Sequence, residues 1–480
     1  MLTHQHMYAA QKRHAAYYLA RLQEIRAHYR RGGDNMPIAL QKAKHLWGQI
    51  QIGQAWSARN PNFHDSAAIC LAYTEESITR FIAVFQPLSE RVRWLSDGLA
   101  AAREIGNHAE IIRLLIELVE VRIFHGEMML DTNKALLDEA LALARKHCLY
   151  AGEAHALLTL GRLQILFPPD DGKARQYMET ALEIFRRIDD LPRVAESLRN
   201  LGVLEENLQN LEEAKAYQQE ALKIYTVLGD EPSLVIVLAR LASIAEREGD
   251  YATGYMFAKR ALTIARRTED SRAIANALHV IGLLTDLLGD RAASWVYFEE
   301  MLNLSRTIDN RRYTMYALVN LGYMASMKGE YHKALSYYRE IRAISAQMND
   351  PSRQADALDN IGFLYIELGE LDKARQHLHD ALAICMEIDA KDLLYTILLH
   401  FAYWLAHVRH LEISRQVFHL AVSMPAHNDP LFAEPSTYII NKLRILMPET
   451  VLERSRAAHS TAYFQQVIQQ LLDLSAPDAD

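Results

Sequence analysis

The sequence predicts an all-α fold: a right-handed α-solenoid of about eight helical pairs, led by a helical segment and closed by capping helices. Three observations predict it. One skeleton returns every 40 residues, as in NALHVIGLLTDLLGDRAASWVYFEEMLNLSRTIDN (276–310) and DALDNIGFLYIELGELDKARQHLHDALAICMEIDA (356–390). Its apolar residues fall at i, i+3, i+4 and i+7, which is one face of a helix. Each half of the skeleton closes on punctuation, a G-[DE] in the middle and an I-D at the end.

Residues 13–60 carry a helical pattern but lie outside the repeat register, so 1–60 forms a separate helical segment and 61–107 a lead-in to the array. The array itself occupies 108–430. Lined up at every fortieth residue from 201, the chain reads LGVLEENLQN, LASIAEREGD, IGLLTDLLGD, LGYMASMKGE and IGFLYIELGE, with a decayed copy, FAYWLAHVRH, at 401. From 181 the same step gives ALEIFRRIDD, ALKIYTVLGD, ALTIARRTED, MLNLSRTIDN, IRAISAQMND and ALAICMEIDA. Weaker copies extend upstream, at 140–164 and more loosely at 98–126.

Each copy holds two amphipathic stretches, hence two helices; in the copy near 353 they run roughly 353–368 and 371–388. The Gly of "GE" can take the left-handed conformation that ends a helix. Gly202, Gly282, Gly322 and Gly362 share one site of the first helix, and Ala214, Ala334 and Ala374 share one site of the second. Gly inside a helix costs about 1 kcal/mol against Ala, so its return at one site implies close helix packing there. One hairpin cannot bury its apolar face alone; stacked copies bury it on one another. Pro168 and Pro169 mark one longer loop between helices. From 425 the period breaks at PAHNDPLFAEP, and 431–480 reads as closing helices over the last copy.

This skeleton resembles the tetratricopeptide repeat (TPR). Ile361, Gly362, Tyr365, Ala374, Leu378 and Ala381 answer its motif, as do Leu321, Gly322, Ala334 and Tyr338 one copy earlier. Ala242 departs from it at the Gly site, and Gly254 and Ser294 depart at the first Ala. The period is 40 where the family's usual one is 34. The long form is similar to the repeats of Pins-type scaffolds, kinesin light chains, Rap-type peptide receptors and the sensor arm of the maltose-regulon activator. The opening segment resembles the helical region that precedes the repeats in bacterial NB-ARC/STAND signalling proteins, through His14, Ala15, Tyr17, Tyr18, Leu19, Trp47, Ile50, Gln51 and Trp56. No G-x-x-x-x-G-K-[ST] occurs, so these residues include no phosphate-cradling P-loop. The resemblance therefore implies an NTPase or effector module acting with this chain, in cis or in trans.

In the repeats it resembles, the first helix of each pair lines the inner surface. Two positions before the motif Gly stand Asn200, Arg240, Val280, Asn320 and Asn360; one after it stand Val203, Ser243, Leu283, Tyr323 and Phe363. Long-repeat scaffolds use Asn at the first of these positions to hold the backbone of an extended peptide, because an amide both donates and accepts. Tyr323 and Phe363 would add an aromatic step beside Asn320 and Asn360. The candidate ligand-binding residues are thus Asn200, Arg240, Asn320, Tyr323, Asn360 and Phe363. The competing expectation is that each Asn ties its helix to a neighbouring one and that the aromatics are core. Acidic residues prevail along this face (Glu206, Glu246, Asp286, Asp356, Asp359, Glu367), which suits a ligand of some basic character. A chaperone-tail clamp is not expected, since Asn276 and Val280 stand where basic residues belong.

The formal charge of −8, from 52 basic and 60 acidic residues, argues against general nucleic-acid binding. Lys12, Arg13, Arg21, Arg26, Arg30 and Arg31 crowd the opening stretch and read as a solvated helix face. Cys70, Cys148 and Cys385 lie far apart with no C-x-x-C, which fits a reducing compartment. No apolar run reaches the ~20 residues of a membrane span, and no signal peptide is evident. His400, His407 and His410 lie near one another on a helix, with no carboxylate at ligand spacing. No metal, cofactor or catalytic residue is expected. The sequence reading is a non-catalytic, cytoplasmic sensor or scaffold arm of bacterial signal transduction that holds a peptide or protein segment. Its alternative is a small-molecule-sensing regulatory domain of a transcriptional activator or STAND NTPase.

Overall fold

The computed structural model describes residues 4–29, 35–60, 63–82, 85–124, 130–166, 170–424, 433–447 and 461–475. Among these residues there are helices and turns and no strand. The chain divides into two compact units, Met1–Ala273 and Ile274–Asp480.

Unit 1 opens with α1 (His4–Tyr29), α2 (Asn35–Arg59), α3 (His64–Tyr73), the short α4 (Glu76–Ile82) and α5 (Leu88–Ile105). Four hairpins follow. They are α6 (His108–Phe124) with α7 (Leu130–Lys146), α8 (Tyr150–Leu166) with α9 (Asp171–Arg187), α10 (Leu191–Asn207) with α11 (Leu211–Leu228), and α12 (Glu231–Arg247) with α13 (Tyr251–Arg267). In unit 2, α14 (Ser271–Leu287, its first three residues counted in unit 1) pairs with α15 (Arg291–Thr307). Then come α16 (Arg311–Met327) with α17 (Tyr331–Gln347), α18 (Pro351–Glu367) with α19 (Leu371–Glu387), and α20 (Lys391–His407) with α21 (Leu411–Val422). The closing helices are α22 (Ala433–Leu446) and α23 (Thr461–Ser475). Pro168, Pro169 and residues 425–432 of the break lie outside the described residues.

The 40-residue step is now explicit. From α12 to α20 every helix is 17 residues long and is followed by a three-residue turn. Each helix is thus about 25 Å long. Within a hairpin the turn is a Schellman motif: Gly329 sits at φ 76°, and the Glu330 N–H bonds the Ala325 carbonyl at 2.9 Å. Between hairpins the left-handed site is held by several residue types, Asp309 (φ 51°), Asn349 (φ 52°), Glu269 (φ 53°) and Gly229 (φ 65°) among them. In both kinds of turn the residue before the next helix can cap it. Asp350 accepts from the Arg353 N–H at 3.0 Å and Asp290 from the Ala293 N–H at 3.0 Å. Each such cap is worth about 1 kcal/mol.

Packing explains both the small residues and their exceptions. A Cβ added at Gly282 would come within 2.8 Å of the Phe298 ring, and one at Gly362 within 2.8 Å of Leu378. Where the Gly site is Ala242, the matching position sixteen residues on is Ala258, and both are fully buried. Ser294, in place of the usual Ala, donates its hydroxyl to the Gly282 carbonyl at 2.8 Å, so its burial leaves no polar group unmet. Ser414 makes the same bond to Ala402, at 2.6 Å.

First helices also touch one another: α6 with α8 and α8 with α10 in unit 1, α18 with α20 in unit 2. They therefore form the tighter, inner layer of each stack. In unit 1 the opening helices are built around Leu22, Ile50, Tyr73, Phe81 and Trp94, and Tyr73 bonds the Ala15 carbonyl at 2.9 Å. Three of their basic residues are paired: Lys12 with Asp65, Arg21 with Glu24, and Arg26 with Glu75.

Candidate functional site

On the inner layer of unit 1, Asn200 is buried and donates its side-chain N–H to the Glu196 carbonyl at 2.9 Å. Arg240 is exposed, with Nη1 3.4 Å from Glu206 Oε2. Burial pushes the Glu206 carboxyl above the usual range, against the pull of Arg240 and Arg247. The short α4 lies against the same layer. Glu76 is 3.8 Å from Arg193 on α10, and Arg113 on α6 donates to the Thr74 carbonyl at 2.8 Å. A cleft of about 580 Å³ opens beside α4, lined by Arg26, Tyr29, Ser77, Phe81, Glu110 and Arg113.

In unit 2 the asparagines repeat the pattern of Asn200. Asn320 donates to the Tyr316 carbonyl at 2.8 Å, and Asn360 to the Asp356 carbonyl at 2.9 Å. Each amide nitrogen is therefore tied one turn back on its own helix. That bond fixes the rotamer and leaves over the carbonyl oxygen and the second amide N–H, which on Asn360 also reaches Asp356 Oδ1 at 3.2 Å. Tyr323 is half-buried one turn from Asn320. Phe363 is 7% exposed and sits beneath other rings: His400 stacks on it at 4.9 Å, and Tyr403 and Tyr438 approach to 6.2 Å.

Neighbouring first helices are linked by a constant step. His279 stacks on Tyr316 at 5.1 Å, Arg353 lies over Tyr316 at 5.9 Å, and Phe363 meets His400; each partner is 37 residues on. His279 is held down to about 4 by burial, so its ring is neutral on that stack. His400 Nδ1 is 2.8 Å from Asp359 Oδ1, and His407 packs edge-on against Tyr403.

Glu367 on this layer is paired three times over. Its side chain is 5% exposed, and three donors reach it: Tyr331 at 2.8 Å, Tyr403 at 2.8 Å and Lys442 of α22 at 2.7 Å. Burial alone would raise this carboxyl, but the hydrogen bonds from Lys442, Tyr403 and Tyr331 carry it below its ordinary value. The sequence marks Glu367 as one of the inner-face acids and gives no sign of its donors. A signal exists in retrospect, since Tyr331, Glu367 and Tyr403 stand 36 residues apart.

The arrangement offers amides, phenols and a buried carboxylate, which bind. It offers no activated thiol at the buried cysteines: burial pushes Cys70 up to about 12 and Cys385 up to about 11.

The fold and its inner layer define the class of protein as a helical-repeat array, and the repeats are tetratricopeptide repeats. Residues 170–226 match the tetratricopeptide repeat family, and residues 235–409 match the MalT-like TPR region. No curated protein matches the sequence. Among solved structures, the chain is similar to a STAND protein with a tetratricopeptide repeat sensor from Pyrococcus horikoshii. The match has 14% identity and a TM-score of 0.53, and covers 89% of this chain and 57% of that one. It is also similar to a Rap protein complexed with Competence and Sporulation Factor, at 18% identity and TM-score 0.48, covering 80% and 100%. A third is the quorum sensor NprR from B. thuringiensis, at 12% identity and TM-score 0.47, covering 76% and 97%.

Proposed function

We propose that the chain is a non-catalytic binding arm whose inner helical layer in unit 2 holds an extended peptide. The observation that carries this reading is the shared rotamer of Asn320 and Asn360. Each gives one amide N–H to its own helix, which fixes the rotamer, so each presents its carbonyl oxygen at the same site of successive first helices. Acceptors in register suit the N–H groups of an extended backbone. The acids of the same face, Asp286, Asp356 and Glu367, favour a ligand with basic side chains. In a cell such an arm would serve as the sensor or scaffold part of a signalling system, coupled to an NTPase or effector module in cis or in trans.

The test is selection of peptides from a displayed random library on the immobilised chain, followed by affinity measurement on variants. Asn320→Ala and Asn360→Ala should each weaken a selected peptide by about 1–3 kcal/mol, or 5- to 150-fold. Selected peptides that ignore both changes would overturn the reading. A small molecule bound in the cleft beside α4, with Arg113→Ala abolishing it, would favour the sensor of small molecules instead.

A further inference from the structure

Resting on that reading, we infer that α22 is an internal ligand of unit 2. It fills a site built to take a lysine or arginine side chain with an aromatic residue one helical turn before it. Tyr438 and Lys442 are four residues apart and share a face of α22. Lys442 Nζ meets Glu367 at 2.7 Å, Tyr438 meets the ring of Phe363 at 6.2 Å, and the ammonium lies 5.2 Å over the Tyr438 ring.

The receptor side belongs to the repeats and the occupant does not. Tyr331, Glu367 and Tyr403 come from α17, α18 and α20 in a constant step of 36 residues. The two phenols can only donate to the carboxylate, so they fix it and leave its charge uncancelled. A carboxylate 5% exposed needs a cation, and among the described residues Lys442 is the one that pairs with it, from beyond the break in the period. A helix that merely closed the array would need apolar contacts alone. Ile439, Leu443 and Met447 provide those, all nearly fully buried, so the placed cation is in excess of what closure requires. A peptide carrying the same aromatic and basic pair would compete for Glu367, and α22 would have to withdraw to admit it.

The experiment uses the full chain and a fluorescein-labelled synthetic peptide of residues 433–446, AEPSTYIINKLRIL. Hydrogen exchange reports whether α22 is docked, with protection of α18 and α20 as the control for folding. Lys442→Ala should speed exchange across 433–446 by about tenfold or more, and Lys442→Arg should not. The labelled peptide should bind the Tyr438→Ala/Lys442→Ala chain saturably. It should bind the wild-type chain, and the double variant with Glu367→Gln added, about tenfold or more weakly. Unchanged exchange in Lys442→Ala would overturn the inference, as would peptide binding that ignores Glu367→Gln. The asparagine test is independent: neutral Asn320→Ala and Asn360→Ala would sink the extended-peptide reading while leaving the docking of α22 intact.

Discussion

Gly282 lies so close beneath Phe298 that a Cβ there would stand 2.8 Å from the end of the ring. The contact sets how near α14 and α15 approach. Gly282→Ala should therefore destabilise unit 2 by about 1–3 kcal/mol, despite the better helix propensity of Ala. In a Phe298→Leu background the same change should become neutral or favourable, because the clashing atoms are gone. Thermal melts of the four chains check this double-mutant cycle. The pairing of Ala242 with Ala258 is the same compensation already present one copy upstream.

Hairpin punctuation gives a second prediction. Asp290 and Asp350 each cap the helix that follows. Replacing either by Ala should cost about 1 kcal/mol, and replacing it by Asn or Ser much less. Urea titration followed by helical circular dichroism measures the difference.

Much of this was legible in the sequence, and the reason is local. Gly329, Asp309 and Asn349 mark turns through their own backbone preferences, so the alternation of 17-residue helices and three-residue turns is written residue by residue. The exceptions at Ala242 and Ser294 were visible as exceptions, but not their compensation, which depends on a partner helix. The site was less legible. Asn320 and Asn360 lie on first helices, and their hydrogen bonds return to their own helix, which a one-dimensional pattern does not encode. Phe363 reads in the sequence either as an aromatic step or as core; it lies under His400 and Tyr438, and Tyr438 comes from an aperiodic segment. For the same reason neither α4 against Arg193 nor α22 against Glu367 could be foreseen.

Acid should weaken unit 2 through His279. Burial holds its folded-state value at about 4, below the ordinary 6.5. Between those two values the unfolded chain binds more protons, so stability is full above about 6.5 and is lost as pH falls towards 4. His279→Gln should flatten that part of the melting temperature against pH. An unchanged slope would show that the ring titrates freely.

The Glu367–Lys442 pair predicts a different window. Glu367 lies below its ordinary 4.5 and Lys442 above its ordinary 10.5. The pair is therefore at full strength between them. It is lost as pH falls through the lowered carboxyl or rises through the raised ammonium. Near-ultraviolet circular dichroism of the tyrosines around Glu367 should change on acidification below the ordinary carboxyl value of 4.5. Glu367→Gln should remove that change.

The central claim is that the asparagines of the inner layer hold a peptide backbone. It is tested most directly by titrating an asparagine-15N-labelled chain with a library-selected peptide and reading the side-chain amide resonances. The account predicts saturable shifts of Asn320 and Asn360, because bonding at each carbonyl oxygen polarises its own amide. Saturation of the peptide with both resonances unmoved would contradict it.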